Sequence, residues 1–483
     1  MECQNRNAMK SLPYRKTKII ATLGPATQSV EMVGRLIESG VNVFRLNMSH
    51  ADPAWVRQIV GSIRQLAELN RVGIGILMDT QGPSIRTGDV KEKIELLVGE
   101  TFYFTVLGGT VPGEKWTSVG YDQFAADVNV GDNLIVDNGE IKMKIRSKTT
   151  TRVECEVLTE GSLGSRRHIN LPGIHVSLPA LTDKDREDVR LGLEVGVDFI
   201  ALSFVRQAED IELLRAFIRE TSNNHQPQIV AKIEHQFAVD NFDAIALAAD
   251  LVMVARGDLG IECPYEELPI IQRRIVKQCQ KIGRPVIVAT HMLESMTHSP
   301  SPTRAEITDV ANAVYEQADA IMLSGETTVG RHPIACIEVM DTIARRIERS
   351  GGSNYHLEAN LTSTRQKLVR SGITLADDLK ADGVIIFTQR GHMARYAARM
   401  RARSSPVYAF AERWADADGL TLCRGVLPRV IKFNHQQPDR TVDAAVEQLM
   451  VSGLIKSGDT LVVISDVASG DRIVDGIKIR VVD

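Results

Sequence analysis

No apolar run in this chain approaches the roughly 20 residues that a membrane-spanning helix needs, and residues 1–12 lack the apolar core of a secretory signal. Paired cysteine spacing is missing as well. The six cysteines, Cys3, Cys155, Cys263, Cys279, Cys336 and Cys423, stand far apart, so neither a disulfide framework nor a zinc motif is indicated. Buried thiols in a reducing compartment are the expectation. Neither sign of charge dominates: 57 Lys and Arg oppose 61 Asp and Glu, for a net charge of −4. That balance argues against a nucleic-acid binder relying on bulk charge. The one local basic stretch, Arg395, Arg399, Arg401 and Arg403, reads as a solvated helix face. These absences predict a soluble, cytoplasmic protein with no membrane or nucleic-acid partner.

What is present is ordinary globular material, 43% hydrophobic and 24% charged over 483 residues, enough for about three domains. Eight apolar runs recur, at residues 17–24, 41–49, 73–80, 199–204, 229–234, 251–256, 286–290 and 320–325. Such continuous hydrophobicity is what parallel strands buried on both faces require. The segments between them carry helical periodicity; in residues 29–39, Val30, Val33, Leu36 and Ile37 share one face and Gly40 supplies a stop. Eight strand–helix alternations predict an α/β fold, a closed (β/α)8 TIM barrel, whose active site lies at the C-terminal ends of the strands. Polar residues gather at those ends: Arg45, Asn47, Ser49, Asp79, Thr80, Ser203, Lys232, Glu234, Arg256, Asp258, Thr290 and Ser324.

One connection is too long for a simple crossover. Residues 83–180 are rich in Gly, Thr and Val, alternate in patches such as Phe102-Tyr103-Phe104-Thr105-Val106, and carry turn signals at Gly108-Gly109 and Asp137-Asn138-Gly139. They read as a small all-β lid domain inserted at the rim of the barrel. The barrel then comprises residues 1–82, with an N-terminal extension, and 181–350. Residues 351–483 start a separate C-terminal α/β domain, with strand candidates at residues 383–388, 407–410, 460–465 and 477–482.

The richest chemistry lies in Ala231-Lys232-Ile233-Glu234 and in Arg256-Gly257-Asp258. Lys232 and Glu234 are two apart on a strand and project to one face. A cation, two carboxylates and glycine-exposed backbone donors at neighbouring strand ends suit a metal-bound anionic substrate. A structural ion pair is the alternative.

Several segments resemble motifs of the pyruvate kinase family: Asn42-Val43-Phe44-Arg45-Leu46-Asn47-Met48-Ser49-His50, Met78-Asp79-Thr80-Gln81-Gly82-Pro83, Ala231-Lys232-Ile233-Glu234, Met253-Val254-Ala255-Arg256-Gly257-Asp258-Leu259-Gly260, Ala289-Thr290-His291-Met292 and Met322-Leu323-Ser324-Gly325-Glu326-Thr327. They occur in family order over residues 15–345. The resemblance implies phosphoryl transfer from phosphoenolpyruvate to ADP, a barrel with an inserted lid, a C-terminal regulatory domain and a homotetramer. By resemblance Glu234 and Asp258 hold Mg²⁺ or Mn²⁺, while Lys232 stabilises the transferring phosphoryl group and the enolate. Arg45 grips the phosphate, and the backbone at Gly257 and Asp258, just ahead of a short helix beginning near Gly260, receives the substrate carboxylate. Thr290 and Ser324 are associated with protonating the enolate, and His50, Arg86 and Arg167 face the nucleotide.

Asn47, Ser49, Asp79 and Thr80 match the family's K⁺ ligands, and K⁺ activation is the expectation. The sequence departs from the family at Ser84, where K⁺-dependent members carry glutamate and K⁺-independent ones lysine. It departs again at His291, which replaces a glutamine beside Thr290, and at Asn138 in a lid turn. The loop that cradles an effector phosphate in allosteric members reads here Thr388-Gln389-Arg390-Gly391-His392-Met393-Ala394. Met393 lacks the usual hydroxyl, and the segment at residues 466–472 lacks the usual partner loop, so another phosphorylated effector, or none, stays open. Two other readings remain: a different metal-dependent barrel acting on enolates, and a catalytically silent relative.

Overall fold

The computed structural model describes residues 14–106, 108–222, 225–469 and 472–483. Cys3, the segment at residues 1–12, and Gly470 and Asp471 of the late loop lie outside the described residues.

Eight parallel strands close into a barrel: β1 (Lys18–Thr22), β2 (Val43–Asn47), β3 (Gly75–Asp79), β4 (Phe199–Leu202), β5 (Gln228–Ile233), β6 (Leu251–Ala255), β7 (Val286–Ala289) and β8 (Ala320–Leu323). Each pairs with its sequence neighbours, and β8 closes on β1 through Lys18 opposite Ala320 and Ala21 opposite Leu323. The strands are apolar throughout because both faces are covered. Ile20, Val43, Leu77, Phe199, Leu251, Met253 and Met322 fill the interior. Their chain neighbours Ile19, Phe44, Ile76, Ile200, Val252 and Ile321 face the helix layer outside.

Helix ends follow the sequence signals. Ser29 caps Val30–Glu38 by accepting from the amide of Met32 at 3.2 Å. Thr182 and Asp185 form a reciprocal capping box on Asp183–Val195, which Gly196 ends in a left-handed conformation. This helix packs outside the barrel immediately after the long insertion.

The insertion carries a six-stranded and a two-stranded sheet around Phe102, Phe104, Phe124, Leu134 and Ile145. It also holds one helical turn, Phe124–Asp127, absent from the all-β expectation. Its two connections to the barrel run side by side, joined by a bridge between Arg86 and His168. The C-terminal domain has a five-stranded sheet in the order Val426–Val430, Val407–Ala411, Gly383–Phe387, Thr460–Ser469, Arg472–Val481. The edge strand Val426–Val430 was not expected, because Pro428 sits at its centre; edges tolerate proline where central strands do not.

The basic stretch is not a solvated face. Arg401 is 6% exposed and makes a two-pronged contact with Asp319 below the barrel, at 2.6 and 2.8 Å. Arg399 donates to the Lys281 and Asn360 carbonyls. Two of the four arginines therefore bind the C-terminal domain to the floor of the barrel, a role that helical spacing alone does not reveal.

Candidate active site

At the C-terminal mouth of the barrel, Lys232 lies near the end of β5, and Glu234 follows one residue past it. The Lys232 ammonium contacts Glu234 Oε1 at 2.8 Å and Asp79 Oδ1 at 3.1 Å, and donates to Ser203 Oγ at 2.7 Å. Arg45, from β2, reaches the other Asp79 oxygen at 2.7 Å and Thr22 Oγ1 at 3.1 Å. Five strands or their ends, β1 to β5, thus deliver one connected cluster in which the carboxylate side chains are only 1% exposed.

The electrostatics follow from burial opposed by partners. Burial alone would disfavour charge on Lys232, yet Asp79 and Glu234 hold its pKa above the ordinary lysine value. Burial also pushes on Asp79, but Lys232 and Arg45 outweigh it and keep that carboxyl below its usual range. Glu234 goes the other way. Burial raises it, Lys232 opposes the rise and Asp258 adds to it, leaving it near 7. Two carboxylates acting on each other beside a buried lysine form a site short of one positive charge.

Asp258 enters from the neighbouring strand's end. The helix here is Arg256–Glu262, so Gly257 and Asp258 lie in its first turn rather than ahead of it. The Gly257 amide donates to Thr290 Oγ1 at 2.7 Å, and that hydroxyl donates to the Ala289 carbonyl at 2.6 Å. Arg256 pins the same strand end through the Ala289 and Thr290 carbonyls and Asp309. Thr290 and His291 both hold positive φ, 66° and 52°, which turns the chain sharply after β7. His291 faces Glu294 at 3.5 Å on the exposed side of that turn. Ser324 Oγ, after β8, is buried with no hydrogen-bond partner.

The remaining expected residues lie further out. Arg86 donates to Ser84 Oγ and the Arg166 carbonyl, both at 3.2 Å. Arg167 contacts Asp137 at 3.3 Å within the lid, beside Asn138 in the turn, and His50 is exposed on the β2 loop. Of the four oxygen donors at the β2 and β3 ends, Asp79 and Thr80 are buried, and Asn47 Oδ1 accepts from the Ser49 amide at 3.2 Å. Asp79 is committed to two cations, while Ser84 contributes a hydroxyl to Arg86.

Two contributors escaped the list of expected site residues. Ser203 links Lys232 to the Thr80 carbonyl, to which its hydroxyl donates at 2.7 Å; its place at a strand end was the available signal. The Phe204 amide donates to Glu234 Oε2 at 2.6 Å from a backbone with φ of 55°. Nothing in an apolar side chain announces a backbone donor.

Among the described residues no group of three or more His, Cys, Asp or Glu converges to hold a metal unaided. Glu234 and Asp258 together offer hard oxygens in a cluster that is one positive charge short of balance. They fit a divalent ion whose remaining ligands come from an anionic substrate.

The same arrangement spans known proteins. Residues 14–337 match the barrel domain of pyruvate kinase, and residues 366–479 match its alpha/beta domain. Plastidial pyruvate kinase 2 of Arabidopsis thaliana is 39% identical over 93% of this chain and 78% of its own length. The pyruvate kinase of Sporosarcina psychrophila is 39% identical over 95% of this chain and 78% of its own. A crystal structure of a Cryptosporidium parvum pyruvate kinase superposes with a TM-score of 0.90 at 34% identity, covering 97% of this chain and 96% of that one. With lysine and carboxylates converging at the barrel mouth and both domains matched in order, the chain belongs to the pyruvate kinase family, metal-dependent enzymes that transfer the phosphoryl group of phosphoenolpyruvate to ADP.

Proposed function

We propose that Lys232 is the residue on which this phosphoryl transfer turns. The supporting observation is its ammonium, buried and held between Asp79, Glu234 and Ser203. A fixed cation in a site of low dielectric stabilises the charge that builds on the phosphoryl oxygens and the departing enolate oxygen without reorganising. Arg45, already oriented by Asp79 and Thr22, offers free guanidinium donors to the phosphate. Glu234 and Asp258 would hold Mg²⁺ or Mn²⁺, which would supply the positive charge an anionic substrate needs there. The backbone at Gly257 and Asp258 orients that carboxylate from the first turn of a helix.

Proton delivery to the enolate carbon falls to the β7 and β8 ends. Thr290 Oγ1 bridges the Gly257 amide and the Ala289 carbonyl, so it orients a donor better than it supplies a proton itself. The partnerless Ser324 hydroxyl is free to pass a proton from a bound water. Arg86, Arg167 and His50 meet the ADP phosphates as the lid approaches. Asn47, Ser49, Asp79 and Thr80 would hold K⁺, which would offset part of the phosphate's negative charge.

The C-terminal domain carries a cavity of about 460 Å³ bordered by Thr388, Arg390, Met393 and Phe433, which suits a phosphorylated effector. By family resemblance, the enzyme works in the cytoplasm as a homotetramer. A coupled assay with phosphoenolpyruvate and ADP, run with and without Mg²⁺ and K⁺, tests the reading. Turnover that survives removal of the divalent metal, or is unchanged in Lys232→Met, overturns it.

A further inference from the structure

Two residues beyond β4, Phe204 holds a left-handed backbone with φ of 55°. Bulky side chains are rare there, and such a backbone persists only where its surroundings hold it. Here the surroundings are the base of the lid. A Cβ on Gly82, just ahead of the insertion, would fall 2.7 Å from Ser203 Cβ and 2.9 Å from Phe204 Cδ2. Only glycine lets the chain press so closely on this dipeptide. The Gly82 amide is anchored in turn, donating to Asp185 Oδ1 at 3.0 Å. The returning connection adds the His168 ring, 5.8 Å from the Phe204 ring and tilted by 58°. Its bridge to Arg86 ties it to the outgoing connection.

The left-handed turn aims a backbone donor into the mouth of the barrel. The Phe204 amide donates to Glu234 Oε2 at 2.6 Å, while Glu234 Oε1 faces the Lys232 ammonium at 2.8 Å. Each carboxylate oxygen therefore has one fixed partner, and the plane of the group is set from both ends. With the chain held on either side, relaxing this φ would turn the peptide plane between Ser203 and Phe204 and swing the amide off the carboxylate. Partners that orient a metal ligand contribute to metal affinity even though they never touch the ion.

We infer that Phe204 is a positioning residue for the divalent metal: the base of the lid holds its ring, the ring holds its backbone, and its amide fixes the Glu234 carboxylate. This role rests on Glu234 being a metal ligand, as proposed above. It makes metal affinity depend on how the lid is seated, through an apolar residue that carries no ligand atom of its own.

Mn²⁺ is the probe. Its binding to the full-length protein is measured by electron paramagnetic resonance of the free ion, without phosphoenolpyruvate or ADP, so no turnover enters the readout. Glu234→Gln should lose most of the binding. Phe204→Ala should weaken it about tenfold or more, whereas Phe204→Tyr, which keeps the ring, should bind as the wild type does. His168→Ala removes only the contact from the lid and should weaken Mn²⁺ about threefold. The double variant should bind no worse than Phe204→Ala, because both changes act through one ring. His175, whose ring lies 5.9 Å from that of Phe237 instead, is the control, and His175→Ala should change nothing. All variants are checked for an unaltered melting temperature.

Wild-type affinity in Phe204→Ala, with the ion lost in Glu234→Gln, overturns the positioning role and leaves the metal reading intact. Wild-type affinity in Glu234→Gln overturns the metal reading and this role with it. Should Phe204→Ala fail to fold, His168→Ala decides alone, and wild-type affinity there overturns the link to the lid. Losses that multiply in the double variant would show that His168 acts by another route, which overturns it as well.

Discussion

The two ends of the same eight strands both bury charge, but only one leaves a carboxylate without an ion-pair partner among the described residues. At the floor, buried charges tie segments together: Arg401 pairs with Asp319, Arg15 and Arg345 share Asp341, and Arg64 lies between Asp198 and Asp418. At the mouth, Lys232 is shared by two carboxylates, Asp79 is shared by two cations, and Asp258 has no ion-pair partner among the described residues. The Arg401–Asp319 and Arg64–Asp418 contacts fasten the C-terminal domain to the barrel. A shared and incomplete set leaves capacity for a metal and an anionic substrate. Sharing of a buried charge is common to both ends; what marks the mouth as functional is a carboxylate, Asp258, left without an ion-pair partner among the described residues.

The sharpest way to break this contrast is Lys232→Met. The proposed role predicts a fall in kcat of about 10³-fold, with phosphoenolpyruvate and Mg²⁺ binding retained by equilibrium titration. Near-normal turnover would reduce the mouth to another structural cluster. The matching change at the floor, Arg401→Met, strands Asp319 in a buried site and should cost about 3–5 kcal/mol of stability in chemical denaturation. Its kcat per folded molecule should stay close to wild type. A large loss of turnover without loss of stability would show that the floor takes part in catalysis.

A third measurement tests the K⁺ site that shares Asp79 with Lys232. Replacing K⁺ by a bulky organic cation at constant ionic strength should lower kcat about tenfold, and an indifferent rate would remove K⁺ from the site. The floor has its own pH signature. Burial, then the neighbouring Asp198, pushes the Asp418 carboxyl up to about 8, with Arg64 opposing. An aspartate ionises near pH 4 in the unfolded chain, so the stability gained from this group is complete below that pH and is lost as pH rises through about 8. Asp418→Asn mimics the protonated form and should therefore gain stability relative to wild type between pH 5 and pH 9, by on the order of 3 °C in Tm. Comparing the two proteins cancels the opposite trend of Lys18, which burial lowers to about 7. An unchanged difference would mean that Asp418 is charged throughout. The smallest effect is expected from Arg86→Ala, a rise of about threefold in KM for ADP, because its exposed contacts are weak.

Most of the barrel could be read before any coordinates, since burial on both faces forces a continuous apolar run, and eight such runs leave few alternatives. Lys232 and Glu234 were legible for a related reason: the two-residue period of a strand puts them on one side. The Val426–Val430 strand was hidden by Pro428, and the helix start at Arg256 by glycines that normally end helices. Arg401 was misread because its partner Asp319 lies 82 positions away in the chain.

By itself the sequence determined the barrel, the insertion and the identities of the groups at each strand end, because local periodicity and side-chain chemistry are properties of short segments. Tertiary structure alone decided which charges found partners and which carboxylate was left without one among the described residues. It also brought the Phe204 amide to Glu234, and the His168 ring to that of Phe204. Those outcomes depend on distances between segments remote in the chain, and Coulomb energy and desolvation are set by such distances rather than by neighbours in sequence.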